Sequence, residues 1–238
     1  MDKVDLNKLE DNLNSDLKKQ LISSRVLMNN FRFIDEASRR TPAYSDPLFV
    51  PFYYYLGKYI KPKTVAEMGF RLGLFSGSFF KSCSTADYFF AFQNKPEVFY
   101  SPRLARANVK QSYKGSIDFH IGSVLDDVFV DKLSYKNWDL VIINEEENYD
   151  THRTYLDYIW PNISHEGLVV MDYVNSNKPA RDALVDFCKG NNRDPIFFKM
   201  YPSYPGFSDI LAKTLTIFTI KKSMTKILSS KVKHVENI

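Results

Sequence analysis

Three of the nine glycines in this 238-residue chain fall within nine positions, in Glu67-Met68-Gly69-Phe70-Arg71-Leu72-Gly73-Leu74-Phe75-Ser76-Gly77. An apolar run precedes them and a helix-like segment follows, so the stretch reads as a strand-to-helix turn. At such a junction, backbone N–H groups and absent β-carbons leave room for a ligand against the carboxyl edge of a sheet. The spacing does not match the G-x-G-x-x-G turn, and no Gly-Lys-Ser/Thr closes it as in a P-loop. Tight helix–strand packing explains the same glycines without a ligand. A second group is acidic: Glu145-Glu146-Glu147 follows one strongly apolar run and Asp172 closes another. Carboxylates at strand ends can act as general bases or hold hard cations, while three glutamates in a row also suit a solvated loop. His152, two residues after Asp150, and His120, at the end of a third apolar run, each have a proton-transfer reading and a surface or capping reading. Cys83 and Cys188 have no histidine nearby in sequence and read as inert.

These groups must be positioned by what surrounds them. From Thr64 onward, short apolar runs alternate with amphipathic segments. Strands are expected over 64–68, 88–92, 117–121, 139–143 and 167–171, and helices over 74–83, 103–113, 124–133, 150–160 and 178–189. Pro161 ends one helix, and Pro179 and Gly190 bracket another. Such alternation implies a mainly parallel sheet covered on both faces. Two last strands, over 195–200 and 214–220, lack a helix between them and are expected to pair antiparallel.

Residues 1–60 read as a helical extension, with helices over 1–40 and 49–59 separated by a proline-bounded break from Thr41 to Pro47. Leu6, Leu9, Leu13 and Leu17 form an apolar stripe that must be covered. It either packs on its own domain or pairs with a second copy. Because the break makes the first helix a separable arm, contacts in a homo-oligomer are the expectation.

Composition excludes several classes. Hydrophobic residues make up 44% and charged residues 25% of the chain, an ordinary globular balance rather than a disordered one. Two cysteines exclude a disulfide scaffold and fit a reducing compartment. The start lacks a signal-peptide layout and no long uncharged apolar run occurs, so a cytoplasmic protein without membrane contact is expected. Net charge is +4, from 32 basic and 28 acidic residues. No basic stripe flanks the glycine segment, so nucleic acid is not an expected partner. The local basic excess lies in the tail, residues 223–238 with the lysines just before it, and reads as a solvated face.

An acidic residue followed by Gly-x-x-x-Gly after the first strand resembles the first motif of class I S-adenosylmethionine-dependent methyltransferases. Trp138 to Asn144, Asn148-Tyr149-Asp150, Trp160 and Gly167 to Tyr173 extend the resemblance to the small-molecule and sugar O-methyltransferase branch. In that branch the fourth strand ends in an Ile-Asp-Gly-Asp-His-like motif and the fifth in Asp-Asp-Tyr. The similarity covers about residues 49–221. It implies a Rossmann-like α/β fold with a seven-stranded, mostly parallel sheet and an antiparallel last strand, over residues 61–222.

The resemblance also assigns residues. Glu67, Gly69, Phe70 and Gly73 would contact the methionine part of S-adenosylmethionine. Gln93 would accept from the ribose hydroxyls where the family carries an acid, and Gly122 and Ser123 would face the adenine. Asn144 stands where the branch offers a metal-binding aspartate and is counted with the cofactor contacts. A divalent metal is therefore not expected, since a neutral carbonyl is a poor ligand for a hard cation. Glu145-Glu146-Glu147 replace Gly-Asp-His. Glu147, Asp172 and His152, in that order, are the expected base or orienting groups.

The expected activity is methyl transfer from S-adenosylmethionine to an oxygen of a small molecule or sugar. The alternative is a non-catalytic descendant that keeps the fold as a structural or interaction module, a reading drawn from Gln93, Ser123 and Asn144.

Overall fold

Val65, Ala66 and Met68 are buried on both faces of β1 (Thr64–Met68), the composition of a central parallel strand. The computed structural model describes residues 5–22, 49–94, 102–145, 148–171, 174, 177–191, 196–198 and 217–221. Within them β1 pairs in parallel with β2 (Tyr88–Gln93) on one side and β4 (Trp138–Ile143) on the other. β3 (Ser116–Ile121) extends the sheet beyond β2, and β5 (Ile163–Met171) beyond β4, both parallel. β6 (Ile196–Phe198) and β7 (Ile217–Lys221) complete the order β3-β2-β1-β4-β5-β7-β6, with β7 antiparallel to both its neighbours.

Alternation along the strands divides the core into two layers. Val65, Phe89, Leu140, Ile142, Leu168 and Val170 face α1 (Leu6–Ile22), α2 (Phe49–Tyr59), α3 (Leu74–Ser82) and α4 (Pro102–Lys110). Ala66, Met68, Phe90, Phe92, Val141 and Val169 face α5 (Asp127–Ser134), α6 (Tyr149–Ile159) and α7 (Lys178–Gly190). Asp139 ties the amino ends of three strands together. Its carboxylate accepts from Lys63 N–H at 2.7 Å and from Ser164 Oγ at 2.9 Å.

The leucine stripe finds its cover within the chain. Leu6, Leu9, Leu13 and Leu17 are all buried within this chain, in one cluster with Phe52, Tyr53 and Leu56 of α2. Lys58 of α2 adds a 2.9 Å bond to Asp16 of α1. The apolar surface that called for a second copy is covered by the chain itself. The remainder of the expected first helix, the break before α2 and the basic tail lie outside the described residues.

Two boundaries move for physical reasons. β5 begins at Ile163, four residues before its expected start, because Ile163 pairs with Trp138 and Ser164 bonds Asp139 through a run of polar residues. α5 begins at Asp127, three residues late. Ser123 N–H donates to Asp126 Oδ2 and Asp126 N–H to Ser123 O, holding residues 123–126 in a turn. Among the described residues no helix is long and apolar enough to cross a membrane.

Candidate functional site

The strand order reverses between β1 and β4, so the carboxyl ends of these two strands are the place where the topology calls for a crevice. In open α/β sheets, ligands bind at such a switch point. The glycine turn leaves β1 there. Gly69 and Phe70 N–H both donate to the Phe92 carbonyl, at 2.9 and 3.2 Å, and Gly73 N–H donates to the Phe70 carbonyl at 2.7 Å. Gly69 and Gly73 are left-handed, with φ of 87° and 66°, and so is Arg71 between them at 43°. A non-glycine residue there is uncommon. Arg71 N–H donates to Gln93 Oε1 at 2.8 Å, which fixes the turn against the end of β2.

Glu67 and Asn144 form the polar floor of the crevice. Glu67 is 1% exposed and Asn144 fully buried, and Asn144 N–H donates to the Met68 carbonyl at 2.8 Å. Neither carboxyl oxygen of Glu67 and neither side-chain amide atom of Asn144 has a hydrogen-bond partner. Burial pushes the Glu67 carboxyl well above its ordinary range. The Asn144 amide nearby favours the charged form, but the geometry falls short of a hydrogen bond. Buried polar atoms are normally satisfied, so orphaned ones at a switch point call for a partner such as ordered water or a ligand.

Glu145 spans the top of this floor. Its carboxylate accepts from Gln93 Nε2 at 3.1 Å and from Asn94 N–H at 3.2 Å, both at the end of β2. Its other oxygen accepts a short bond from the Tyr155 hydroxyl of α6. A β-carbon on Gly69 would collide with the Asn144 carbonyl oxygen and with Glu145 Cγ, so the Glu145 stem lies directly against Gly69.

The other expected residues divide. Gly122 and Ser123 lie at the end of β3, beside Gln93: Gly122 N–H donates to the Gln93 carbonyl at 3.1 Å, and Ser123 is exposed with its Oγ accepting from Leu125 N–H. Phe70 does not face the crevice. Its ring packs on Phe89 and Phe119, with centroids 5.7 and 4.5 Å away. Gly73 is likewise closed from within, since a β-carbon there would lie 2.8 Å from both Phe70 Cζ and the Ala105 carbonyl oxygen. Phe70 and Gly73 thus both pack into the core at this turn.

His152 lies inside the fold. It is fully buried, with Nδ1 2.9 Å from the Asn148 carbonyl oxygen and Nε2 3.1 Å from that of Glu145. Each ring nitrogen faces a backbone carbonyl, so the neutral ring donates to one of them and only the protonated ring to both. Glu147 and Asp172 lie outside the described residues. Among the described residues no cluster of three or more His, Cys, Asp or Glu side chains is placed to hold a metal.

Sequence reasoning missed Tyr155, Asn94 and the bridging role of Glu145. The available signal was phase: Tyr155 lies on the buried stripe of α6 with His152, Leu156 and Ile159. That stripe must face the end of β4.

No family model and no curated protein matches the chain. Solved structures do. An O-methyltransferase from Bacillus cereus in complex with SAH aligns with a TM-score of 0.62 at 14% identity, covering 88% of this chain and 100% of that one. SAH-bound methyltransferase PaMTH1 of Podospora anserina aligns at 0.54 and 16%, covering 79% and 85%. CalS11, a TDP-rhamnose 3'-O-methyltransferase of calicheamicin biosynthesis, aligns at 0.51 and 15%, covering 88% and 92%. At these identities the likeness is one of fold: the chain has the Rossmann-like α/β fold of these methyltransferases, a parallel sheet of five strands flanked by helices.

Proposed function

We propose that this chain binds S-adenosylmethionine in the crevice between β1 and β4 and transfers its methyl group to an oxygen of a small molecule or sugar. The observation that carries the proposal is the orphaned pair Glu67 and Asn144, buried and unpartnered at the switch point of the sheet. A carboxylate and a primary amide side by side suit a group with both a cationic amine and a carboxylate, as an amino-acid moiety has. The solved neighbours support the same reading: two are O-methyltransferases and one a methyltransferase, and two of the three hold SAH.

When bound, the cofactor supplies an electrophilic methyl on a sulfonium. The chain does the rest. Glu67 accepts from the amine, and a bound cation returns its carboxyl to the charged state that burial disfavours. Asn144 offers one donor and one acceptor to the same moiety. Gly69 lets the chain turn at the crevice floor. Gln93 and Asn94 present side-chain and backbone N–H donors at the end of β2, and Gly122 and Ser123 border the far side. The proton of the acceptor hydroxyl goes to a carboxylate, with Glu147 and Asp172 as the candidates.

Thermal melting with millimolar S-adenosylmethionine or S-adenosylhomocysteine tests this. Binding in the tens of micromolar raises stability by about 2–3 kcal/mol, and Glu67→Gln reduces that gain. One observation favours the second reading, a non-catalytic module: both polar atoms of the Gln93 amide are engaged inside the protein. No shift with either compound, for the wild type or for a variant lacking the Glu145 carboxylate, decides for that reading.

A further inference from the structure

The feature that this reading leaves unexplained is the position of Glu145. It begins at the end of β4, passes over Gly69 at the end of β1, and reaches the end of β2. These are the three neighbouring strands whose carboxyl ends form the crevice and its near wall. The side chain is therefore a crossbar over the switch point, 3% exposed. Three donors converge on its two oxygens: Gln93 Nε2, Asn94 N–H and the Tyr155 hydroxyl. Gln93, Asn94 and Tyr155 are themselves buried, so these donors have little access to water while Glu145 is in place.

We propose that Glu145 is an intramolecular plug: its carboxylate occupies the donors of Gln93 and Asn94 and must swing out before the hydroxyl oxygens of a nucleoside can accept from them. The inference rests on the cofactor reading above and adds its regulation. In the closed form the plug supplies the acceptor oxygens that the ligand's ribose supplies in the open form. The donors are satisfied in both, so the exchange is between two paired states. A burial of this kind persists because leaving the donors unpaired is unfavourable. Tyr155 is the latch. It holds the second oxygen from α6.

The consequence is quantitative. If the crevice is open about a tenth of the time, the apparent affinity for any ligand that needs these donors falls about tenfold. Weakening the plug restores it.

The test is calorimetric titration of the full chain with S-adenosylhomocysteine, for the wild type and for Glu145→Ala, Glu145→Gln and Tyr155→Phe, with folding checked by circular dichroism. Glu145→Ala binds at least about tenfold tighter than the wild type. Glu145→Gln shifts the same way, because a neutral amide oxygen holds these donors less firmly than a carboxylate, and Tyr155→Phe shifts less. Should Glu145→Ala fail to fold, the Glu145→Gln and Tyr155→Phe comparisons carry the same prediction. Equal or weaker binding by the folded variants overturns the plug and leaves the cofactor reading standing. Absence of binding by the wild type and by every folded variant overturns both. Binding by the variants alone supports both.

Discussion

Glu67 and Asn144 lie at the carboxyl ends of neighbouring strands, buried together at the crevice floor, yet no hydrogen bond reaches either side chain. The Asn144 backbone is bonded, at 2.8 Å to the Met68 carbonyl, so the strands are locked in register while the side chains they present stay unsatisfied. That arrangement has a pH signature.

Burial holds the Glu67 carboxyl well above its ordinary value of 4.5, with the Asn144 amide opposing. In the ligand-free fold the group retains a proton that the unfolded chain releases. Stability therefore falls as pH rises from the ordinary value toward the raised one. Glu67→Gln removes this loss. Its melting temperature should exceed that of the wild type near pH 7, and the difference should vanish near pH 4. Scanning fluorimetry across that range checks both ends.

Gly73 tests whether the turn is shaped by a ligand or by the core. Its φ of 66° and the 2.8 Å approaches of Phe70 Cζ and the Ala105 carbonyl oxygen leave no room for a β-carbon. Backbone strain of about 1–2 kcal/mol and overpacking of about 1–3 kcal/mol add up for Gly73→Ala. Denaturant midpoints should show that loss without any ligand present, and Gly73→Val should not fold. A turn kept open for a ligand predicts the loss from backbone strain alone, about 1–2 kcal/mol.

Leu13, fully buried on α1, reports on the stripe. Leu13→Ala should destabilise the chain by about 2–5 kcal/mol, as core truncations do. Light scattering should give the same mass for the folded variant and the wild type. A stripe used between copies predicts a change in mass with little change in the stability of the isolated chain.

His152 separates a brace from a base. Replacing it with phenylalanine removes the ring N–H that a backbone carbonyl of Asn148 or Glu145 accepts and should lower stability by about 1–3 kcal/mol. Urea denaturation measures it. A base that faces substrate predicts lost turnover at unchanged stability.

Much of this was legible in the sequence. β1 falls on the expected 64–68 because an apolar run buried on both faces has only one compatible role. The placement of Glu67, Gly69, Gln93 and Asn144 at one sheet edge follows from the order of strands. What the sequence concealed depends on tertiary phase. Glu145 looks like part of a solvated acidic run until α6 sets Tyr155 against it, and nothing local to residue 145 announces a partner ten positions away. His152 looked available for the same reason, because the rotation of α6 about its axis is decided by packing on β4. The leucine stripe was plain, and its cover was not, since two helices joined by a proline-bounded break admit partners from either chain.

The crevice also has a history in time. Its two walls come from distant parts of the chain: Asp139 N–H donates to Thr64 Oγ1 across 75 positions, whereas Arg71 and Gln93 meet across 22. Contacts of long sequence separation form late, because the loop must close before they are rewarded. During synthesis the glycine turn and β2 emerge well before β4 exists. A nascent chain halted ahead of residue 138 thus carries the turn without a crevice, and Gly69 faces water until Glu145 arrives to cover it.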